Sequence, residues 1–194
     1  MVNLKELKKH IVPENRLFSN GDVVLLPREL VRDINCYYWV LGILYSTGSY
    51  YDCIPGFTTG DLYTNSSDLI SSVEADLKNL NISFRRISIF EAKNLQEDEV
   101  LIKLFYYPPS KTFPKGDFHF IRQNKETGIW YHKPGANQVC CLEGIDDKEN
   151  FDPDELIFTE ESTKEIFRYF PLCYFALKEY NNPRVKPVDF HIGL

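Results

Sequence analysis

The stretch from Val100 to Lys133 constrains the fold of this chain more than any other. It opens with Val100-Leu101-Ile102-Lys103-Leu104-Phe105-Tyr106-Tyr107, a run of strand-forming residues that Pro108-Pro109 brings to an end. Asp117-Phe118-His119-Phe120-Ile121-Arg122-Gln123 follows, then the polar Asn124-Lys125-Glu126-Thr127-Gly128, then Ile129-Trp130-Tyr131-His132-Lys133, stopped by Pro134-Gly135. Two alternating runs around a polar, glycine-terminated break predict an antiparallel hairpin. With the loop at 124–127, Gln123 pairs with Gly128 and His119 falls directly opposite His132. Their Cβ atoms would then lie about 4.5–5.5 Å apart, within reach of an imidazole–imidazole hydrogen bond. Other registers fit the same pattern, and a slip of one residue separates the rings.

The flanking segments carry helical spacing. A short N-terminal helix is expected over about 3–10, then an apolar run at Val23-Val24-Leu25-Leu26, then a helix from near Asn35 with apolar residues at 36, 39, 40, 43 and 44. The stretch from Thr47 to Asn65 reads as a long loop, and Ser66-Ser67-Asp68 caps a helix with the stripe Leu69, Ile70, Val73, Leu77 and Leu80. Alternation resumes at Ile82, Phe84 and Arg86, then Ile87 and Ile89; helical spacing returns from Glu160 to Tyr169 and from Leu172 to Tyr180, before a tail rich in Asn and Pro. Helices at both ends and strands in the middle predict an α+β fold. No repeat or composition break divides the chain, so residues 1–194 read as a single domain.

A formal charge of −6 argues against broad attraction to nucleic acid or to an anionic membrane, both of which need a basic face. No apolar run approaches membrane-spanning length, and the charged, amphipathic opening lacks the apolar core of an export signal. Cysteines at 36, 53, 140, 141 and 173 form an odd, unevenly spaced set, which points to reduced thiols in a cytoplasmic setting, or to delivery into another cell by a signal-less route. The sequons at Asn65 and Asn81 are then chance matches.

Cys36 stands at the start of the helix that Asp33 or Asn35 can cap, where unsatisfied N–H groups favour a thiolate. Beside an imidazolium, a cysteine pKa falls from about 8.5 into the range 3.5–7.5 and gives a nucleophile at neutral pH. His119 is the candidate base, and His132 would fix its tautomer.

Asn35-Cys36-Tyr37-Tyr38-Trp39 at a helix start, a strand opening at His119 and a hairpin returning to His132 together resemble the NlpC-type and CHAP-type papain-like peptidases and amidases. The resemblance covers the Cys36 helix and residues 117–135. It implies a papain-like fold, with the nucleophile at a helix N-terminus packed on a small antiparallel sheet, and assigns catalysis to Cys36, His119 and His132. It places Asp117-Phe118 where the family often carries Gly-Asp, and makes the Cys36 N–H an oxyanion donor. Asn35, Tyr37, Asp117 and Trp130 are the candidate oxyanion and substrate contacts. The implied reaction is acyl transfer at the amide of a peptide or protein through a thioester, with no cofactor and no metal. The family usually acts on cell walls, whereas this chain has no export signal, and the insertion from Tyr45 to Asn65 has no counterpart in the pattern.

Three competing readings remain open. Cys36 is a core thiol and the histidines are a structural cross-strand pair; or the three residues hold zinc; or the domain binds a partner through tyrosines near Tyr37, Tyr50 and Tyr51. Cys53, Cys173 and the adjacent Cys140-Cys141 read as structural or incidental, with a redox role for the adjacent pair as an alternative. His10 and His191 read as surface residues, and the acidic run Glu143–Glu155, with Asp146, Asp147, Asp152 and Asp154, as a solvated loop.

Overall fold

Residues that alternate between two buried faces build the centre of this molecule. The structure, a computed structural model, describes residues 26, 28–43, 54–60, 63–125, 127–142, 152–159 and 164–178. In chain order its elements are α1 (Arg28–Val31), α2 (Cys36–Val40), α3 (Ser66–Asn79), β1 (Phe84–Ile87), α4 (Ile89–Ala92), β2 (Glu99–Tyr107), β3 (Asp117–Gln123), β4 (Trp130–His132), β5 (Cys140–Cys141), β6 (Leu156–Thr159) and β7 (Ile166–Lys178). The described strands form a seven-stranded sheet in the order β1-β7-β2-β3-β4-β5, with β6 paired to β7. Every pairing is antiparallel. The fold is therefore mixed α and β with an antiparallel sheet.

β2 is apolar on both faces because both faces are covered. Val100, Ile102 and Leu104 join Phe118, Phe120 and Phe175 in a core packed under α2 and α3, with Tyr37, Leu69, Val73 and Leu77. Leu101 and Phe105 face the other way, with Ile121, Trp130, Leu156, Phe167, Tyr169 and Tyr174. Period-two alternation thus assigns Phe118 and Phe120 to the helix side of β3, and His119 and Ile121 to the opposite side.

α3 obeys its sequence signals closely. Asn65, one residue before the expected cap, accepts hydrogen bonds from the N–H groups of Ser67 and Asp68. Past the C-terminus, Asn81 takes φ 56°, with Ile82 N–H bonded to Leu77 O and Asn81 N–H to Lys78 O, which closes the helix in a left-handed cap.

The expectation of two helices near the C-terminus is wrong: Ile166–Lys178 is the strand β7. Its pairing with β2 shifts register between Leu104, opposite Cys173, and Phe105, opposite Pro171. The extra residue, Leu172, flips the parity. Phe167 and Tyr169 then face the same side as Tyr174 and Ala176, although their spacing is odd. A strand whose inward residues change parity midway imitates helical spacing. The solvated-loop expectation also fails at Asp152, which pairs with the buried Lys103 at 2.7 Å.

The expected helix over 3–10, the apolar residues 23–25, most of the insertion from Tyr45 to Asn65 with Tyr50, Tyr51 and Cys53, the acidic residues 143–150, and His10 and His191 lie outside the described residues. Among the described residues, no helix is long and apolar enough to cross a membrane.

Candidate functional site

The two histidines meet, but not in the expected register. β3 and β4 pair Ile121 with His132 and Gln123 with Trp130, so the connection spans residues 124–129 rather than 124–127. Asn124 closes it by donating its N–H to Ile129 O at 2.8 Å and accepting from Gly128 N–H at 2.9 Å. Gly128 takes φ 72°, a left-handed conformation that glycine adopts without penalty. The register differs by two residues from the expected one, and a shift of two preserves the face. His119 and His132 are diagonal neighbours, and their long rings bridge the gap, with His119 Nε2 to His132 Nδ1 at 3.1 Å.

The second nitrogen of His132 meets a thiol, and that thiol is Cys140. β4 and β5 pair His132 directly with Cys140, so both side chains share a sheet face. Cys140 Sγ lies 3.2 Å from His132 Nε2. Cys140, His132 and His119 therefore form a continuous hydrogen-bonded chain, with an exposed thiol at one end and two buried rings behind it. Phe158 and Tyr169 pack over the rings, Phe158 stacking on His132 at 5.8 Å and 25°.

Burial sets the protonation of the pair. It pushes His132 down to about 4. His119 is held well below its ordinary range, first by burial and then by the charges of His132 and Lys133. Both imidazoles are neutral at pH 7. In one consistent polarity the Cys140 thiol donates to Nε2 of His132, whose Nδ1–H donates to His119; the reverse polarity satisfies the same geometry.

Cys36 occupies the place foreseen for it, the first residue of α2, where Asn35 Oδ1 accepts from Tyr37 N–H at 3.0 Å and Tyr38 N–H at 3.1 Å. Its environment is not that of a nucleophile. The residue is 5% exposed, packs in the helix-side core, and makes no hydrogen bond to either histidine. Burial pushes the thiol up to about 12; a hydrogen bond from the Phe120 backbone opposes this only in part, and Asp117 adds to it. α2 has five residues, too few for a strong helix dipole to offset that penalty.

The remaining candidates are structural. Tyr37 is fully buried, stacks on Phe120 at 5.0 Å and donates its hydroxyl to Asp76 at 2.9 Å, so it offers no recognition surface. Asn35 is a cap. Asp117 accepts from the Tyr169 hydroxyl at 2.5 Å, and burial raises its carboxyl. Trp130 is buried on the histidine side, with its indole N–H unpartnered. Cys36, His119 and His132 do not converge on a zinc position, and among the described residues no group of three or more His, Cys, Asp or Glu side chains is arranged to hold a metal ion.

Cys140 is the residue that sequence reasoning passed over. A signal was present: Pro134-Gly135-Ala136-Asn137 is a second turn, closed by Asn137 N–H to Pro134 O at 2.8 Å, and folding back across it brings Cys140 opposite His132. Compared with known protein families, curated proteins and solved structures, the chain matches none.

Proposed function

We propose that this protein is a cysteine-dependent acyl-transfer enzyme acting on an amide or peptide bond, with Cys140 as nucleophile, His132 as general base and acid, and His119 as the group that orients His132. The carrying observation is the unbroken chain from the Cys140 thiol through both nitrogens of His132 to His119, at 3.2 and 3.1 Å. An accessible thiol on a base that a third residue holds in place is the arrangement nucleophilic catalysis requires.

The steps follow from the proton positions. Because burial keeps His132 neutral, the resting pair is thiol and imidazole, and the proton moves as sulfur attacks. The sulfur forms a bond to the carbonyl carbon, the C=O π pair moves onto oxygen to give a tetrahedral oxyanion, and Nε2 takes the thiol proton while the new imidazolium donates Nδ1–H to His119 Nε2. Collapse breaks the C–N bond, with Nε2 returning its proton to the leaving amine. A water or a second amine then attacks the thioester carbonyl, giving its proton to His132; the carbonyl–sulfur bond breaks, the acid or new amide leaves, and Nε2 returns that proton to the sulfur to restore the thiol and the neutral imidazole.

A papain-like architecture draws support from α2, with Cys36 at its start, packed against β3 of an antiparallel sheet. The roles implied by that resemblance change hands: the thiol follows both histidines in the chain, and His132 takes the place of the base. Peptide and protein amides remain the proposed substrates.

Cys141, exposed on the same two-residue strand, is a built-in reference for the test. Iodoacetamide labelling at pH 7, mapped to each cysteine by mass spectrometry, should modify Cys140 about tenfold faster than Cys141, with His132→Gln abolishing the difference. Equal rates for the two cysteines in the native protein would sink the proposal.

A further inference from the structure

Lys103 stands in the middle of the central strand, 1% exposed, and the proposed reaction makes no use of it. An ammonium so buried is costly unless fully paired. Its Nζ lies 2.7 Å from Asp152 Oδ1 and 2.6 Å from Pro153 O, and 4.7 Å from the centroid of the Tyr174 ring. The Tyr174 hydroxyl donates to the other oxygen of Asp152 at 2.7 Å. Every bond thus converges on the two residues that lead toward β6. β6 in turn carries Phe158, whose ring centroid lies 5.0 Å from that of His119 and 5.8 Å from that of His132, and 5.4 Å from that of Tyr169.

We infer that Phe158 is a positioning residue for the Cys140–His132–His119 chain, and that the buried Lys103–Asp152 pair fixes β6 so that the Phe158 ring stays over both imidazoles. The inference rests on the proposed role of those three residues. An aromatic face stacked on His132 resists rotation of the imidazole, which keeps Nδ1 aimed at His119 and Nε2 at Cys140, and it keeps water off both rings. The charged and titratable groups around the pair are Lys133 beyond β4, Asp117 on β3, Tyr169 on β7, Lys103 on β2 and Cys140 on β5.

The test is the pH titration of the two histidine ring protons by NMR in the full chain, assigned through His119→Gln and His132→Gln, alongside labelling of Cys140 relative to Cys141. Phe158→Leu should raise the His132 midpoint by about one unit or more, because water regains access to the ring, and should slow Cys140 severalfold relative to Cys141. Phe158→Tyr, which keeps the ring, should titrate like the native protein. Asp152→Asn, with Phe158 intact, should shift the midpoint in the same direction through loss of the anchor. If Phe158→Leu does not fold, Phe158→Met is read in its place. A folded Phe158→Leu or Phe158→Met with unchanged ring titrations overturns the inference, and an unchanged Asp152→Asn overturns the part assigned to Lys103. Equal labelling of Cys140 and Cys141 in the native protein, with ring titrations that still shift in the variants, would remove the acyl-transfer role and leave the positioning of the histidine pair standing.

Discussion

Cys36 and Cys140 are both thiols near the same sheet, and their surroundings separate them. Cys36 fills core volume under α2, so Cys36→Ala should lower stability by about 1 kcal/mol in urea unfolding while leaving the labelling rate of Cys140 unchanged. Cys140 is exposed, so Cys140→Ser should change stability by less than about 0.5 kcal/mol and abolish the fast-labelling site and any amidase activity. Reversal of those two outcomes would return the nucleophile to Cys36. Asp76 presents a third case, one that sequence inspection gave no reason to single out. Fully buried in α3, it accepts hydrogen bonds from the Tyr37 hydroxyl, from the N–H groups of Gly56 at 2.6 Å and Thr58 at 2.9 Å, and from the Thr58 hydroxyl at 2.5 Å. Asp76→Ala strands several buried donors at once and should cost about 3 kcal/mol or more in the same unfolding assay, against less for Asp76→Asn, which keeps one acceptor.

Among the elements, α3 was legible almost to the residue, because caps and an apolar stripe are local signals. Asn65 is exposed; its Oδ1 caps α3 and its Nδ2 donates to Asp68 Oδ2 at 2.8 Å, so Asn65→Ala should cost about 1 kcal/mol, and Asn65→Asp, which keeps the cap acceptor but sets a second carboxylate against Asp68, should recover only part of that. Strand β7 was illegible for the opposite reason. What makes it a strand is its pairing with β1 and β2 along one half and with β6 along the other, and the bulge at Leu172 that lets its inward residues change parity. β1 and β2 lie far from it in sequence, and only β6 is a near neighbour. The β3–β4 hairpin falls between these cases. Its strands and face assignment were readable, whereas its register depended on the left-handed Gly128 and the Asn124 closure, which lengthen the connection by two residues.

For the whole molecule, acid is the most informative perturbant. His132 has a folded pKa of about 4, below its ordinary 6.5, and His119 is shifted in the same direction. Between those values the unfolded chain binds the proton that the folded chain refuses, so stability is fully present above pH 6.5 and is lost as pH falls through 4. For His132 alone the loss amounts to roughly 3 kcal/mol. Chemical denaturation at a series of pH values should show that decline, and His132→Gln should flatten it. Glu99, held down to about 2 chiefly by its hydrogen bonds from Arg85, contributes in a separate window, losing its stabilisation as pH falls from 4.5 through 2. The amino-acid sequence alone determined the α and β mixture, the central antiparallel strands, the capped helices and the meeting of His119 with His132, since alternation, caps and turns act over a few residues. Which thiol joins that pair was decided only by the tertiary structure. Cys36 lies on helix α2, packed with Phe118 and Phe120, whereas Cys140 lies on β5 opposite His132; long-range pairing and burial set those places, and desolvation turns one thiol inert while the other stays at the surface beside a base.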